Sequence, residues 1–174
     1  IRQQNLETIW ELEKNLLPIL IRMRKQGIRV NVEKAEQLQV DFSKKEKALL
    51  SNIKKLVGKD VDIWAARQIG FAFDKLGIDY PKTPKTGEPS FTQNWLMNSK
   101  QEISKLIVEA REINKFHNTF LNSIMKYEHK GRIHGEINQL RSDSGGTVSG
   151  RLSMSNPNLQ QLPNYTRLGM GIRS

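Results

Sequence analysis

Ser149-Gly150-Arg151-Leu152-Ser153-Met154-Ser155-Asn156-Pro157-Asn158-Leu159-Gln160-Gln161-Leu162-Pro163 is too polar for a core element and too varied for a Ser/Gly linker. One arginine follows a glycine, and uncharged amides then lie between two prolines. Proline locks φ and drives the residue before it out of the helical region, so the stretch reads as a shaped, extended segment. A shaped polar segment presents side chains. Arg151, Asn158, Gln160 and Gln161 are the long donors it offers, and Arg151 alone could equally brace a loop.

The whole chain has 174 residues, 37% apolar and 26% charged, room for one domain or a domain with an appendage. Its 28 Lys and Arg against 18 Asp and Glu leave a formal charge of +10. That excess favours a polyanion, nucleic acid ahead of a membrane surface, although scattered solvated lysines would give the same sum. Cysteine is absent, which excludes disulfides and thiolate metal sites and fits a reducing cytoplasm. No apolar run approaches the roughly 20 residues of a membrane span. The chain starts at Ile1 and stops at Ser174 without a cap or tail, as expected of a piece of a larger protein.

Apolar spacing over 5–26 (Leu6, Ile9, Trp10, Leu16, Leu17, Leu20, Met23) predicts a helix, with Asn5 as cap, Gly27 as stop and Pro18 as kink or divide. Ile28 to Asn31 reads as an extended connector. A second helix over 32–57 buries Leu38, Phe42, Leu49, Ile53 and Leu56 and ends at Gly58, with Lys44, Lys45, Lys47, Lys54 and Lys55 mainly off that stripe. Residues 60–100 read as a compact tip: a short helix over 63–77, a proline-rich turn over 79–89, then another short helix capped by Ser90 or Thr92.

A third long helix over 99–129 carries Ile103, Leu106, Ala110, Ile113, His117, Phe120 and Ile124 in steps of three and four, a seam for the second helix running antiparallel. His117 lies on that seam as a packed, hydrogen-bonded residue. Arg111, Lys115, Asn118 and Asn122, spaced i, i+4, i+7 and i+11, form a row without an acid, as a phosphate-tracking surface requires. After a turn at Lys130-Gly131, residues 132–134 and 147–149 read as short strands joined by a flexible connection over 142–146.

Catalysis is not expected of these residues. Metal-dependent phosphoryl transfer needs two converging carboxylates, and past Glu136 the only one is Asp143. His117, His129 and His134 lack metal-ligand spacing, and Gly145, Gly146 and Gly150 are not followed by the Lys-Ser/Thr of a phosphate loop. Binding is expected. Every Watson–Crick pair offers a minor-groove acceptor, so donors such as Arg151 can check the shape of a pair while ignoring its sequence.

Ser-Gly-Arg-Leu-Ser followed by Asn-Pro-Asn-Leu-Gln-Gln-Leu-Pro closely resembles the signature of DNA polymerase I-type (family A) enzymes just before the palm. That pattern reads roughly Thr-Gly-Arg-Leu-Ser, a spacer, then Pro-Asn-Leu-Gln-Asn/Gln-Ile-Pro. Leu17 to Val30, Gly87-Glu88-Pro89-Ser90, Arg111 to Lys115 and Gly131-Arg132-Ile133-His134 extend the resemblance over nearly the whole chain. Ser149 stands for the usual threonine, Gln161 for a common asparagine and Phe91 for the threonine after Pro-Ser. The longer stretch over 135–148 is similar to phage members.

The resemblance implies a mainly α fold, a long antiparallel helix pair with a small helical tip and a few short β-strands at the C-terminal end. It places a helix and connector at the thumb base in 1–30, the thumb in 31–130 with its tip in 60–100, and the start of the palm in 131–174. It implies that Arg151 donates to the minor groove at the primer terminus, that Asn158, Gln160 and Gln161 touch nearby template-primer pairs, and that Arg111, Lys115 and Asn118 hold the duplex backbone. It implies no catalytic and no metal-binding residue in this stretch. The family's catalytic aspartates and nucleotide-binding helix lie downstream and its exonuclease acids upstream, so Mg2+ and dNTP belong to the full-length enzyme. Template-primer DNA is the implied partner, without a membrane, in the bacterial cytoplasm with a phage gene as one source. A stand-alone basic helical nucleic-acid-binding module, and a coiled-coil arm whose basic row is solvation, are the alternatives.

Overall fold

The computed structural model describes residues 6–141 and 145–162; the expected cap at Asn5 and most of the connection over 142–146 lie outside them. Six α-helices and five two- or three-residue strands follow one another among these residues. They group into two compact units, one of residues 1–36 with 120–174 and one of residues 37–119.

In the first unit, α1 (Glu7–Gln26) runs through Pro18 as one helix, so of the expected kink or divide the divide does not occur. Gly27 ends it at φ 65°, in the left-handed region that only glycine adopts without strain. A side chain there would also meet the His134 ring and the Ile133 carbonyl, both 2.8 Å from the position of a Cβ. Within α1 only Leu20 is buried among the described positions. Strand β1 (Ile28–Arg29) pairs antiparallel with β3 (Arg132–Ile133), which pairs with β2 (Glu128–His129) across the Lys130-Gly131 turn. Ile133 is buried at the centre of this small sheet. The guanidinium of Arg132 donates to the carbonyls of Gln26 and Gly27, and His134 Nδ1 lies 2.8 Å from the Arg24 carbonyl, so the end of α1 is tied to the sheet.

α2 (Val32–Val57) starts where Asn31 Oδ1 accepts from Lys34 N at 3.0 Å, satisfying one of the orphan amides of a helix start. In the second unit Phe42, Leu49 and Ile53 of this helix are buried as expected. Leu56 is exposed instead, because the steps of four and three that place 42, 46, 49 and 53 on one face reach Val57 next, and Val57 is fully buried. Leu38 is half-buried, and the five lysines are exposed.

α3 (Ala66–Lys75) begins later than the sequence spacing predicts. Asp62 accepts from Trp64 N, and Gln68 Oε1 accepts from Asp62 N, so side chains hold 62–65 as a turn before the helix starts. The proline-rich stretch folds back on itself, with Lys82 bridging Pro89 and Thr83 N donating to Glu88 O at 2.7 Å. Arg67 grips Glu88 with Nε and Nη2, which holds that carboxyl below the usual carboxylate range.

Phe73 is fully buried beneath the rings of Phe91, Trp95 and Tyr80, at centroid distances of 4.9, 5.8 and 6.0 Å. Phe91 thus fills a core position. α4 (Gln93–Asn98) is capped by Thr92, whose hydroxyl oxygen accepts from Trp95 N at 3.3 Å. Thr92→Ala should lower unfolding stability by about 1 kcal/mol, read as a shift in the denaturant midpoint at unchanged slope.

Asn114 Nδ2 at the end of α5 (Glu102–Asn114) donates to Glu46 Oε1 of α2 at 2.6 Å, and Phe42 of α2 meets Phe116, just beyond α5, at 6.4 Å between ring centroids. The single long helix expected over 99–129 is broken, because Lys115–Leu121 is π-helical and only then does α6 (Asn122–Tyr127) resume. The wider π turn advances less per residue than an α turn. Within it Phe116, Phe120 and Leu121 are each buried.

Candidate nucleic-acid interface

The opening stretch contains β5 (Ser153–Ser155), paired antiparallel with β4 (Glu136–Asn138), so that Glu136 faces Ser155, Ile137 faces Met154 and Asn138 faces Ser153. Gly135 lets the Met154 side chain cross the backbone, since any Cβ there would collide with the Met154 methyl. The strand expected at 147–149 does not form. Thr147 Oγ1 donates instead to the Arg151 carbonyl at 2.6 Å, and this local turn competes with a ladder.

Beyond β5 the chain reverses at Asn156, a non-glycine residue at φ 53°. Its side chain is held at both ends: Nδ2 donates to Glu136 Oε2 at 3.2 Å, and Oδ1 accepts from Tyr127 Oη at 3.0 Å. A short 3-10 turn over Leu159–Gln161 follows, and Asn158 Oδ1 accepts from Gln160 N at 3.1 Å. Arg151, Asn158, Gln160 and Gln161 are all exposed on this hairpin. Their roles differ. Gln160 turns its amide back, Nε2 donating to Leu152 O and Oε1 accepting from Met154 N, both at 3.2 Å. Asn158 uses its oxygen as a cap, and Arg151 is fixed through its backbone with the side chain outward.

The second unit carries Arg111, Lys115 and Asn118. Lys115 and Asn118 are exposed, whereas Arg111 is half-buried. Its Nε donates to Ile63 O at 2.7 Å and its Nη1 to Phe91 O at 3.2 Å, with the guanidinium 5.2 Å from the Trp64 ring centroid. Burial pushes its pKa below the ordinary arginine value, and it remains a cation. The π turn also breaks the row, because Asn118 falls out of α-helical phase with Arg111.

A polar chain missed by the sequence pattern lies beside this surface. Trp64 Nε1 donates to Asn114 Oδ1, Asn114 Nδ2 donates to Glu46 Oε1 at 2.6 Å, and Glu46 Oε2 lies 3.3 Å from His117 Nδ1. His117 is therefore the packed, hydrogen-bonded residue that its seam position predicts. Glu46 carried no signal of its own, being one acid among exposed lysines on a helix.

Among the described residues no group of three or more His, Cys, Asp or Glu side chains could hold a metal ion. Among them, too, no helix is long and apolar enough to cross a membrane.

The model of the family described as DNA polymerase family A matches residues 32–174. A DNA-directed DNA polymerase of Pseudomonas phage M6 is 33% identical over 173 residues, covering 94% of this chain and 26% of the relative. A thermostable DNA polymerase I of Thermus filiformis is 33% identical over 169 residues, covering 94% and 20%. The solved POL domain of Pol1 from M. smegmatis, in complex with DNA primer-template and dNTP, superposes with a TM-score of 0.75 at 26% identity, covering 94% of this chain and 28% of that one. The chain thus spans between a fifth and just over a quarter of the length of each.

Proposed function

Because the chain belongs to DNA polymerase family A, we propose that it is the part of a DNA-directed DNA polymerase that grips template-primer duplex and positions the primer terminus. The observation that carries this reading is the Arg151 hairpin: an outward arginine on a backbone held by Thr147, Gln160 and β4, with exposed Gln161 and Asn158 beside it. Such donors meet purine N3 and pyrimidine O2 acceptors, present at every correct pair, and so gauge shape independently of sequence.

In this reading residues 31–130 are the thumb, with its tip over 60–100, residues 1–30 are its base, and 131–174 begin the palm. Lys115 and Asn118 take the duplex backbone, and Arg111 steadies the surface that carries them. Gln160 supports the hairpin. Mg2+ would be held by carboxylates of the complete enzyme other than those described, and would there neutralise charge on the transferred phosphoryl group. The dNTP would likewise bind elsewhere in the complete enzyme. A phage-encoded polymerase acting in the bacterial cytoplasm fits the charge, the lack of cysteine and the phage relative.

The test is template-directed extension of a primed DNA by the full-length protein with Mg2+ and four dNTPs. A protein that binds duplex and incorporates nothing would support the stand-alone binding module instead. In the same protein, Lys115→Ala should weaken primer-template binding and reduce the log–log salt slope by about 0.9, the share of one phosphate. An unchanged slope would remove Lys115 from the backbone contacts.

A further inference from the structure

Among the described residues β5 has β4 on one edge and no strand on the other. In a strand, the N–H and C=O of one residue point to the same side, and those of the next residue to the other. Met154 N and Leu152 O, two residues apart, therefore share the open edge, and Gln160 bonds to both. Its side-chain amide presents an N–H and the carbonyl oxygen on the same side, and so meets this edge as the N–H and C=O of a single residue on a third strand would. The Gln160 backbone is fixed in turn by the Asn158 side chain, and Asn156 and Tyr127 fix the reversal between strand and turn.

Two consecutive carbonyls are thereby clamped, Arg151 O by Thr147 Oγ1 at 2.6 Å and Leu152 O by Gln160 Nε2 at 3.2 Å. The first of these carbonyls belongs to Arg151 itself and the second to the residue that follows it. We propose that Gln160 is a positioning residue for Arg151: its amide closes the open edge of β5 and holds the Arg151 backbone where the guanidinium can reach the terminal base pair. This rests on the minor-groove role proposed for Arg151. It reassigns Gln160 from a DNA contact to the support of one, because a side-chain amide that satisfies a strand edge has spent on the backbone the oxygen and one of the two N–H groups it would turn to a base.

The experiment is a double-mutant cycle in the full-length polymerase, using single-turnover extension of a matched primer end. Gln160→Met keeps the length of the side chain and removes both edge bonds. It should lower extension efficiency about tenfold, the share of one to two net hydrogen bonds. Added to Arg151→Ala, it should cost little more, since it acts through Arg151. A primer ending in 3-deazaguanine lacks the minor-groove N3 acceptor, and Gln160→Met should extend it nearly as well as a normal end, as Arg151→Ala should. Hydrogen exchange at the Met154 amide should quicken in the variant.

Losses that multiply in the double variant would mean Gln160 meets DNA by itself, and would overturn the proposal while leaving Arg151 in place. Wild-type extension by Gln160→Met would overturn it as well. Should Arg151→Ala be silent, the minor-groove reading falls and takes this proposal with it. If Gln160→Met fails to fold, Gln160→Glu serves: it retains the acceptor for Met154 N, loses the donor to Leu152 O, and should give a smaller loss that is again absent beside Arg151→Ala.

Discussion

Arg151→Ala in the full-length protein should lower the efficiency of extension from a matched primer end about a hundredfold, roughly 2.7 kcal/mol of lost transition-state stabilisation. An arginine fork donates charge-assisted bonds, and its removal from a closed site leaves an acceptor unpaired. The loss should fall mainly on the rate of extension rather than on duplex affinity, because phosphate contacts supply most of the binding. Arg151→Lys should therefore recover binding more fully than extension: it keeps the charge, but a single ammonium cannot reproduce the planar fork. Equal extension of normal and 3-deazaguanine ends by the unaltered enzyme would remove the minor-groove contact altogether. Uniform weakening of binding with an unchanged extension rate would make Arg151 one more phosphate contact.

Arg111→Ala should destabilise the fold by about 3 kcal/mol, an effect on folding rather than on DNA. The substitution leaves the carbonyls of Ile63 and Phe91 without their donors and strips a cation from the Trp64 ring. Arg111→Lys should recover only a small part, since the two carbonyls are met by different nitrogens of one rigid fork. Chemical denaturation of the variants measures this directly. A stable variant whose DNA affinity loses about 0.9 in log–log salt slope would show instead that Arg111 holds phosphate. The two measurements separate the roles because folding stability and counterion release are read on different axes.

The boundaries of α2 were legible because three signals agree there: Asn31 as cap, a buried face at helical spacing and Gly58 as stop. The turn at Lys130-Gly131 is where the sequence places it, and of the two caps that the sequence offers, Ser90 and Thr92, it is Thr92 that caps α4. Signals that conflict were harder to read. Pro18 reads as a kink or a divide, and α1 continues through it at the cost of one backbone bond. Thr147-Val148-Ser149 looked like a strand from its β-branched residues, but the hydroxyl of Thr147 found a nearer partner in Arg151 O.

The π-helical turn had no local signature. Residue spacing over Lys115–Leu121 does not distinguish a π turn from the α-helix expected there. The candidate site divides along the same line. That Arg151 and the amides of the opening stretch are polar donors, and that Lys115 is a cation on its own helix, could be read from residue type and spacing. Which of them face outward could not, since that depends on which backbone groups each finds within reach.

By itself the sequence determined the helical elements, the basic balance and the motif around Arg151, because periodicity, charge and fixed proline offsets are local properties. Tertiary structure decided the division of labour among the donors. Arg111 turned to Ile63 and Phe91, 48 and 20 residues away, and Gln160 turned back to the open edge of β5. In both cases carbonyls left unpaired by the surrounding backbone drew in the nearest long donor, and an unpaired carbonyl is visible only once the chain has folded.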